Sequence, residues 1–144
     1  QGENIIFIDA DNTYPVEAIP NMAKLLERFD MVVASRTKGR ENIPRFNRIG
    51  NFIFSHLIRY LYGSKVKDPL SGLYGLKKAH FERMQFNSKG FSIETEIAIK
   101  AAKMKLRVAE SDIEYKPRLG KQKLAGIKDG WKILQVILKE KFRG

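Results

Sequence analysis

Four consecutive apolar residues, Ile5-Ile6-Phe7-Ile8, lead directly into Asp9-Ala10-Asp11, and Pro15 follows soon after. A short unbroken apolar run suits a strand covered on both faces. Two carboxylates at its end cannot follow it into a core without a partner. The chain therefore has to place this strand inside a sheet and let its end emerge at an edge. Alternation along an extended strand aims Asp9 and Asp11 to the same side. Hard oxygen ligands suit Mg²⁺ or Mn²⁺, which commonly carry phosphates. A structural alternative is a turn in which Asp11 merely caps a helix after Pro15.

The segments that follow alternate between strand-like and helix-like patterns, which predicts an α/β domain. A helix is predicted from Pro15 to Phe29 with Ile19, Met22, Leu25 and Leu26 inward and its start delayed by Pro20. Met31–Ser35 reads as a second buried strand, and residues 36–45 as a polar, basic, mobile loop. The next helix spans Phe46 to Leu61, closed by Gly63, with Phe46, Ile49, Phe52, Ile53, Leu57, Ile58 and Leu61 expected inward and His56 packed among them. A strand at Ser71–Leu76 and a short helix at Ala79–Met84 come next. The helix Ile93–Met104 opens on Glu94 and Glu96 and ends on Lys103 and Lys105, the charge order its dipole favours. Leu106–Tyr115 reads as an alternating edge strand and Lys116–Leu124 as a basic loop. An amphipathic helix at Ile127–Phe142 carries Trp131, Leu134, Ile137 and Leu138.

The chain has 144 residues, enough for one domain with a real core. It has no Cys and two His, so a disulfide framework, a Cys-based zinc site or a His-rich metal site is not expected. No apolar run approaches the roughly 20 residues that span a bilayer, and no signal peptide opens the chain, so a soluble or peripheral protein is expected. Charge is uneven. Residues 1–35 hold six acids against Lys24 and Arg28, a net −4, whereas 36–67 hold eight bases against Glu41, a net +7. Residues 116–144 hold nine bases against Asp129 and Glu140, again +7. An acidic opening followed by two basic blocks suggests a metal site facing a cationic surface, suited to nucleic acid, anionic lipid or a phosphorylated substrate.

Three further segments stand out: Asp68-Pro69-Leu70-Ser71-Gly72, the acidic helix start Gly90-Phe91-Ser92-Ile93-Glu94-Thr95-Glu96, and the loop Tyr115-Lys116-Pro117-Arg118-Leu119-Gly120-Lys121-Gln122-Lys123-Leu124. With Asp9-Ala10-Asp11…Pro15 and Ser35-Arg36 before them, they stand in the order seen in the family-2 glycosyltransferases. The resemblance is to the branch that moves sugars onto dolichyl or polyprenyl phosphate, the dolichyl-phosphate mannose synthases, and covers about residues 3 to 135. It implies a GT-A fold, Rossmann-like with a mostly parallel sheet, of which residues 1–144 would be the C-terminal portion as a single domain. The family's N-terminal segment, with its Pro-x-(Tyr/Phe)-Asn-Glu motif, reads the nucleotide base. Its absence here makes the chain either a fragment or a partner to a complementing chain.

The resemblance also implies roles. Asp9 and Asp11 would hold Mg²⁺ or Mn²⁺ against the donor diphosphate. Arg36 and Arg48 would receive the lipid phosphate, and Arg118 and Lys123 the donor phosphates. Asp68, with Ser71-Gly72, would shape the sugar and acceptor pocket. Glu94 and Glu96 lie on different helix faces, so one enters the site, with Glu94 preferred. Asp11, Asp68 and Glu94 are thus the expected catalytic carboxylates. Partners would be a nucleoside-diphosphate sugar, a polyprenyl or dolichyl phosphate and an anionic membrane surface, at the cytoplasmic face. Thr13 stands where some relatives have a metal-binding Gln, and Gln122 where the loop has Ser.

Two other classes remain open at this level. The Phe-x-Asp-x-Asp-Asn-Thr opening also resembles haloacid-dehalogenase phosphatases, with Asp9 as nucleophile, Asp11 as general acid/base and Ser35 as a second motif. No later Gly-Asp-x-x-x-Asp pair supports it. Aromatics beside cations at Arg45-Phe46, Arg59-Tyr60 and Tyr115-Lys116 could stack bases, but no nucleic-acid motif accompanies them and nucleic acid is not expected.

Overall fold

The computed structural model describes residues 2–120 and 126–143. Four strands form one sheet in the order β1-β3-β2-β4, with β1 at Asn4–Ile8, β2 at Met31–Lys38, β3 at Leu73–Lys77 and β4 at Val108–Glu114. β2 lies at the centre of the chain's core. Its residues Met31 to Arg36 are all buried, and the first four are apolar, as a strand covered on both faces requires. Its two faces separate by alternation. Val32 and Ala34 pack with Leu73, Ile113 and the helix α1 (Ile19–Leu26) through Met22 and Leu26. Met31 and Val33 pack with Leu76 and Met84, beside the helix α3 (Lys78–Arg83), and with Ile97 and Ala101 of α4 (Ile93–Lys103).

A further layer lies behind α4. The helices α2 (Arg45–Tyr62) and α5 (Gly126–Phe142) join α4 through Ile58, Ile99, Ile133 and Ile137, and α2 stops at Gly63 with φ 64°. Truncating a fully buried side chain such as Ile137 would cost about 2–5 kcal/mol. α2 and α5 run side by side in the same direction. Gly126 sits against Phe46 and Gly130 against Phe54, and the Tyr62 hydroxyl donates to the Ile137 carbonyl.

Three sequence expectations change. The sheet is not mostly parallel among the described residues: β3 pairs antiparallel with both β1 and β2, and only β2 and β4 are parallel. The cause is the return path from α2, which brings the chain back to the edge it left. β3 then fills the slot between β1 and β2. The loop at 36–45 is more ordered than expected, since β2 continues to Lys38 and a 3-10 turn at Arg40–Asn42 follows. The first half of α2 also reverses: Phe46, Ile49, Phe52 and Ile53 are exposed, because only the second half of the helix meets the core at Ile58. His56 is exposed too, its ring lying 4.1 Å from that of Phe52.

The topology has a direct consequence for function. The C-terminal ends of β1, β2 and β4 and the start of β3 all reach the same edge of the sheet. The opposite edge is fastened by Asp30. Its carboxylate accepts from Arg107 N at 3.0 Å and from the guanidinium at 3.1 and 3.0 Å, while Lys77 N donates to its carbonyl at 3.1 Å. The Arg107 hydrogen bonds hold this carboxyl well below the usual carboxylate range, against the opposing effect of desolvation. A depressed folded-state pKa contributes stability above the unfolded value near 3.9, and that contribution is lost as pH falls below it. Asp30→Asn should therefore lower Tm by about 2–4 °C at pH 7, with the deficit closing below pH ~4, as read by thermal melts across pH.

Candidate active site

At the converging strand ends lies a cleft of about 300 Å³, lined among others by Asp9, Tyr14, Arg36, Asn47, Asn51, Gly72, Glu94, Tyr115 and Arg118. Asp9 follows β1 immediately. Its N–H donates to the Gly72 carbonyl at 3.0 Å, which extends the β1–β3 ladder by one rung. A Cβ on residue 72 would fall on the Asp9 carboxylate, so only glycine leaves that carboxylate where it is. Gly72 is held in turn by Tyr14, whose buried hydroxyl accepts from Gly72 N at 2.7 Å.

Asp11 is set by a turn rather than by strand alternation. β1 ends at Ile8, and Asn12 takes a left-handed conformation with φ 66°. Thr13, fully buried, donates to Asp11 Oδ1 from its N–H at 3.1 Å and also from its hydroxyl. This is an Asx turn, and it explains what the Thr in this position does. Asp11 does not cap a helix: the 3-10 turn after Pro15 has no side-chain cap. The second carboxylate oxygen, Oδ2, meets Arg118 at 2.8 Å.

The electrostatics follow from this crowding. Asp9 is raised above the ordinary Asp value by desolvation and then by the Asp11 charge, with Arg118 and Arg36 opposing. Glu94 is pushed up to about 7, chiefly by desolvation, with its own backbone N–H opposing and the Asp9 charge adding. Tyr74, buried and stacked on Phe7 at 5.0 Å, is raised by desolvation and by the charges of Glu94 and Asp9. A carboxylate pair whose charges oppose each other favours a cation between them. Hard oxygens, one of them on a carboxylate seated against Gly72, and an open cleft fit Mg²⁺ or Mn²⁺. Among the described residues no third His, Asp or Glu joins the pair, so a divalent ion there would complete its shell with water or ligand oxygens.

Arg36 and Asp68 meet as a buried ion pair. Arg36 Nε and one terminal nitrogen lie 2.7 and 2.6 Å from the two Asp68 oxygens, and the guanidinium sits 5.6 Å from the Tyr115 ring centroid. Burial opposes the Arg36 charge, but the Asp68 hydrogen bonds outweigh it and raise its pKa. Removing one partner of such a pair typically costs about 3–5 kcal/mol. Arg36 lines the cleft, whereas Asp68 stands behind it as the group that orients Arg36. Tyr115 is enclosed by Arg36 and by the edge of Tyr14 at 5.3 Å, which removes it as a platform for stacking bases.

The remaining expected residues divide. Glu94 lines the cleft, while Glu96 turns away and accepts from Asn87 N and Ser88 N and pairs with Lys100. Arg48 is exposed and does not line the cleft, because helical geometry gives that side of α2 to Asn47 and Asn51. Lys123 lies outside the described residues. Ser35 is buried in β2 and does not line the cleft. The sequence reading missed Tyr14, Asn42, Asn47 and Asn51, and named Tyr115 only within its motif and as a possible stacking platform. The available signal was Asn47 and Asn51, two amides one turn apart on an otherwise apolar helix. Oriented to satisfy both neighbours, the Asn51 amide donates to the Asn47 carbonyl and accepts from Arg36, each at 3.3 Å.

An apolar groove of about 340 Å³ opens from the same wall, between Phe46, Ile49 and Ile53 of α2 and Ile127, Trp131 and Leu134 of α5. Asn47, Asn51 and Ile133 line both cavities. Among the described residues, no helix is long and apolar enough to cross a membrane.

Comparison with known proteins places this geometry. The chain is 32% identical over 145 residues to a dolichyl-phosphate hexose transferase of Haloferax volcanii, covering 96% of this chain and 63% of that protein. It is 30% identical over 131 residues to a dolichol-phosphate mannosyltransferase of Pyrococcus furiosus, covering 87% of this chain and 37% of that one. The chain thus spans less than two thirds of the length of these relatives. Among solved structures, glucosyl-3-phosphoglycerate synthase of Mycobacterium tuberculosis with Mn²⁺, UDP-glucose and phosphoglyceric acid superposes with TM-score 0.67 at 15% identity, over 98% of this chain and 50% of that one. Mannosyl-3-phosphoglycerate synthase of Rubrobacter xylanophilus gives TM-score 0.66 at 18% identity, over 99% of this chain and 46% of that one. The fold is therefore that of the GT-A glycosyltransferases. The sequence pattern of Glycosyl transferase family 2 matches residues 1–106, and the chain belongs to that family.

Proposed function

We propose that this chain carries the metal, sugar and acceptor half of an inverting glycosyltransferase that moves a sugar from a nucleoside diphosphate to a polyprenyl or dolichyl phosphate. The observation that carries this reading is the shared wall at Asn47, Asn51 and Ile133, where a polar cleft continues into an apolar groove. An acceptor with a phosphate head and a hydrocarbon tail matches both cavities at once. The names of the Haloferax and Pyrococcus relatives support the same acceptor class.

In this reading Asp9 and Asp11 hold Mg²⁺ or Mn²⁺, and a structural neighbour crystallised with Mn²⁺ and UDP-glucose supports that choice of metal. Bound there, the metal supplies charge neutralisation for the departing diphosphate. Arg118 and Lys123 meet the donor phosphates, and Arg36, oriented by Asp68, meets the acceptor phosphate. An acceptor phosphate oxygen attacks the anomeric carbon, the bond to the diphosphate oxygen breaks, and the nucleoside diphosphate leaves with the electron pair. The phosphate is already ionised at neutral pH, so placement and charge stabilisation carry most of the rate. Glu94 offers a carboxyl beside the transferring sugar. Its raised pKa lets it donate as well as accept near neutrality.

The groove also sets the relation to a membrane. Ile49 and Trp131 are each 61% exposed, and cations at Arg45, Arg48, Lys128 and Lys132 flank them on α2 and α5. Apolar side chains rimmed by cations suit an anionic lipid surface at the cytoplasmic face. Arg48 belongs to that rim and helps draw the acceptor's charged head from the lipid side.

The decisive assay combines the protein, Mn²⁺, a panel of nucleotide sugars and a short polyprenyl phosphate, with lipid products read by mass spectrometry. A glycosyl-phospholipid is expected, and Asp9→Asn should cut its formation at least ~100-fold. Free phosphate without glycolipid would instead favour a phosphatase. In a separate measurement, the double variant Ile49→Asp/Trp131→Asp should lose about 10-fold or more of its binding to vesicles containing anionic lipid, with circular dichroism unchanged. Unaltered vesicle binding would remove the membrane role of the groove.

A further inference from the structure

We infer that Arg118 is a resident counter-cation of the carboxylate pair, which a divalent metal has to displace and which then closes on the diphosphate that arrives with the metal. The inference rests on the metal reading proposed above and adds an order and a sign to it.

Both oxygens of Asp11 are taken. Oδ1 accepts twice from Thr13, and Oδ2 is 2.8 Å from the Arg118 guanidinium. The same guanidinium also acts on Asp9, where its charge opposes the upward pull of burial and of Asp11. Oδ1 thus has both acceptor positions used, and a metal drawn to Oδ2 meets the Arg118 guanidinium already on that oxygen. A movement confined to the side chain suffices. The backbone around Arg118 is tied to the Asp11 turn, with Lys116 N donating to the Thr13 carbonyl at 2.9 Å and Leu119 N to the Asp11 carbonyl at 3.3 Å. Arg118 and Gly120 both line the cleft, so a displaced guanidinium remains inside it.

Charge decides where it goes. The carboxylate pair carries −2 when both are ionised, and a dication neutralises it fully, leaving Arg118 without a partner. A diphosphate bound to that dication restores one, and Arg binds phosphate oxygens in a fork of parallel hydrogen bonds. Metal alone has to break an ion pair and strands a cation. Metal with diphosphate exchanges one ion pair for another. The two ligands then bind with positive coupling, and free metal is held weakly.

The consequence is a substitution with opposite effects on two ligands. Arg118→Ala should bind Mn²⁺ alone about 3-fold more tightly, from loss of a partly exposed competing ion pair. It should bind the Mn²⁺–pyrophosphate complex about 10-fold more weakly, from loss of a charge-assisted phosphate contact. Arg118→Lys should leave Mn²⁺ affinity near that of the parent chain, because it keeps the competing charge. Mn²⁺ is followed by electron paramagnetic resonance and the pyrophosphate complex by calorimetry, probes that need neither the nucleotide base nor turnover. Equal or weaker Mn²⁺ binding by Arg118→Ala would overturn the displacement, and unchanged affinity for Mn²⁺–pyrophosphate would overturn the closure. Asp9→Asn separates the two levels. If it leaves Mn²⁺ binding intact, the metal reading itself fails and the exchange falls with it.

Discussion

A single rung of backbone hydrogen bonding, Asp9 N to the Gly72 carbonyl, is what ties the chemistry of this chain to its fold. The rung continues the β1–β3 ladder past the last strand residue, and the missing side chain at 72 lets the Asp9 carboxylate lie against the neighbouring backbone. Tyr14 fixes Gly72 from behind, Tyr115 packs on the edge of Tyr14, and Arg36 lies over Tyr115 while pairing with Asp68. Contributions from the end of every strand are thereby joined into one continuous set of contacts. The cleft is a property of the sheet edge, and the loops fill in around it.

That dependence explains why the edge can tolerate buried charge. An arginine and an aspartate in the interior each lose hydration, and the pair survives because its geometry is bidentate and further hydrogen bonds satisfy both ends. The cost is met by the apolar layers on either side, α1 on one face of the sheet and α4 with α2 and α5 on the other. The Asp30–Arg107 cluster at the far edge closes the same strands where no ligand has to enter. One edge is thus held mainly by protein–protein contacts and the other is left with groups whose charges are only partly balanced.

Much of the element structure was readable from pattern and length in β2, α1, α4 and α5; β1 is a strand as expected but lies half-buried at the edge of the described sheet instead of inside it. The strand order was not readable. β3 carries no local mark of its direction, which depends on where the chain returns after α2. The inward face of α2 was misjudged for a related reason: Phe46, Ile49, Phe52 and Ile53 continue the apolar stripe of Ile58, and periodicity cannot tell a core from a second apolar surface that stays exposed. At the cleft, Asp9, Arg36, Glu94 and Arg118 were visible as charged residues in ordered motifs. Tyr14, Asn47 and Asn51 were not, since a buried tyrosine or a helical asparagine looks ordinary until its neighbours are known. Thr13 stood out only as a departure from the family pattern, and its hold on Asp11 needed the turn geometry to be seen.

The parallel course of α2 and α5 has one more effect. α2 begins beside the cleft at Pro44, α5 begins at the adjoining apolar groove, and α4 begins beside the cleft with Glu94 in its first turn. Each start carries a partial positive charge from aligned peptide dipoles. Parallel neighbours repel slightly along their length, yet their fields add at the shared end. The backbone thus adds a local partial positive charge at each of those helix starts, reaching about one turn. Salt screens this contribution as it screens surface cations, but no single side-chain substitution removes it while the helices keep their direction.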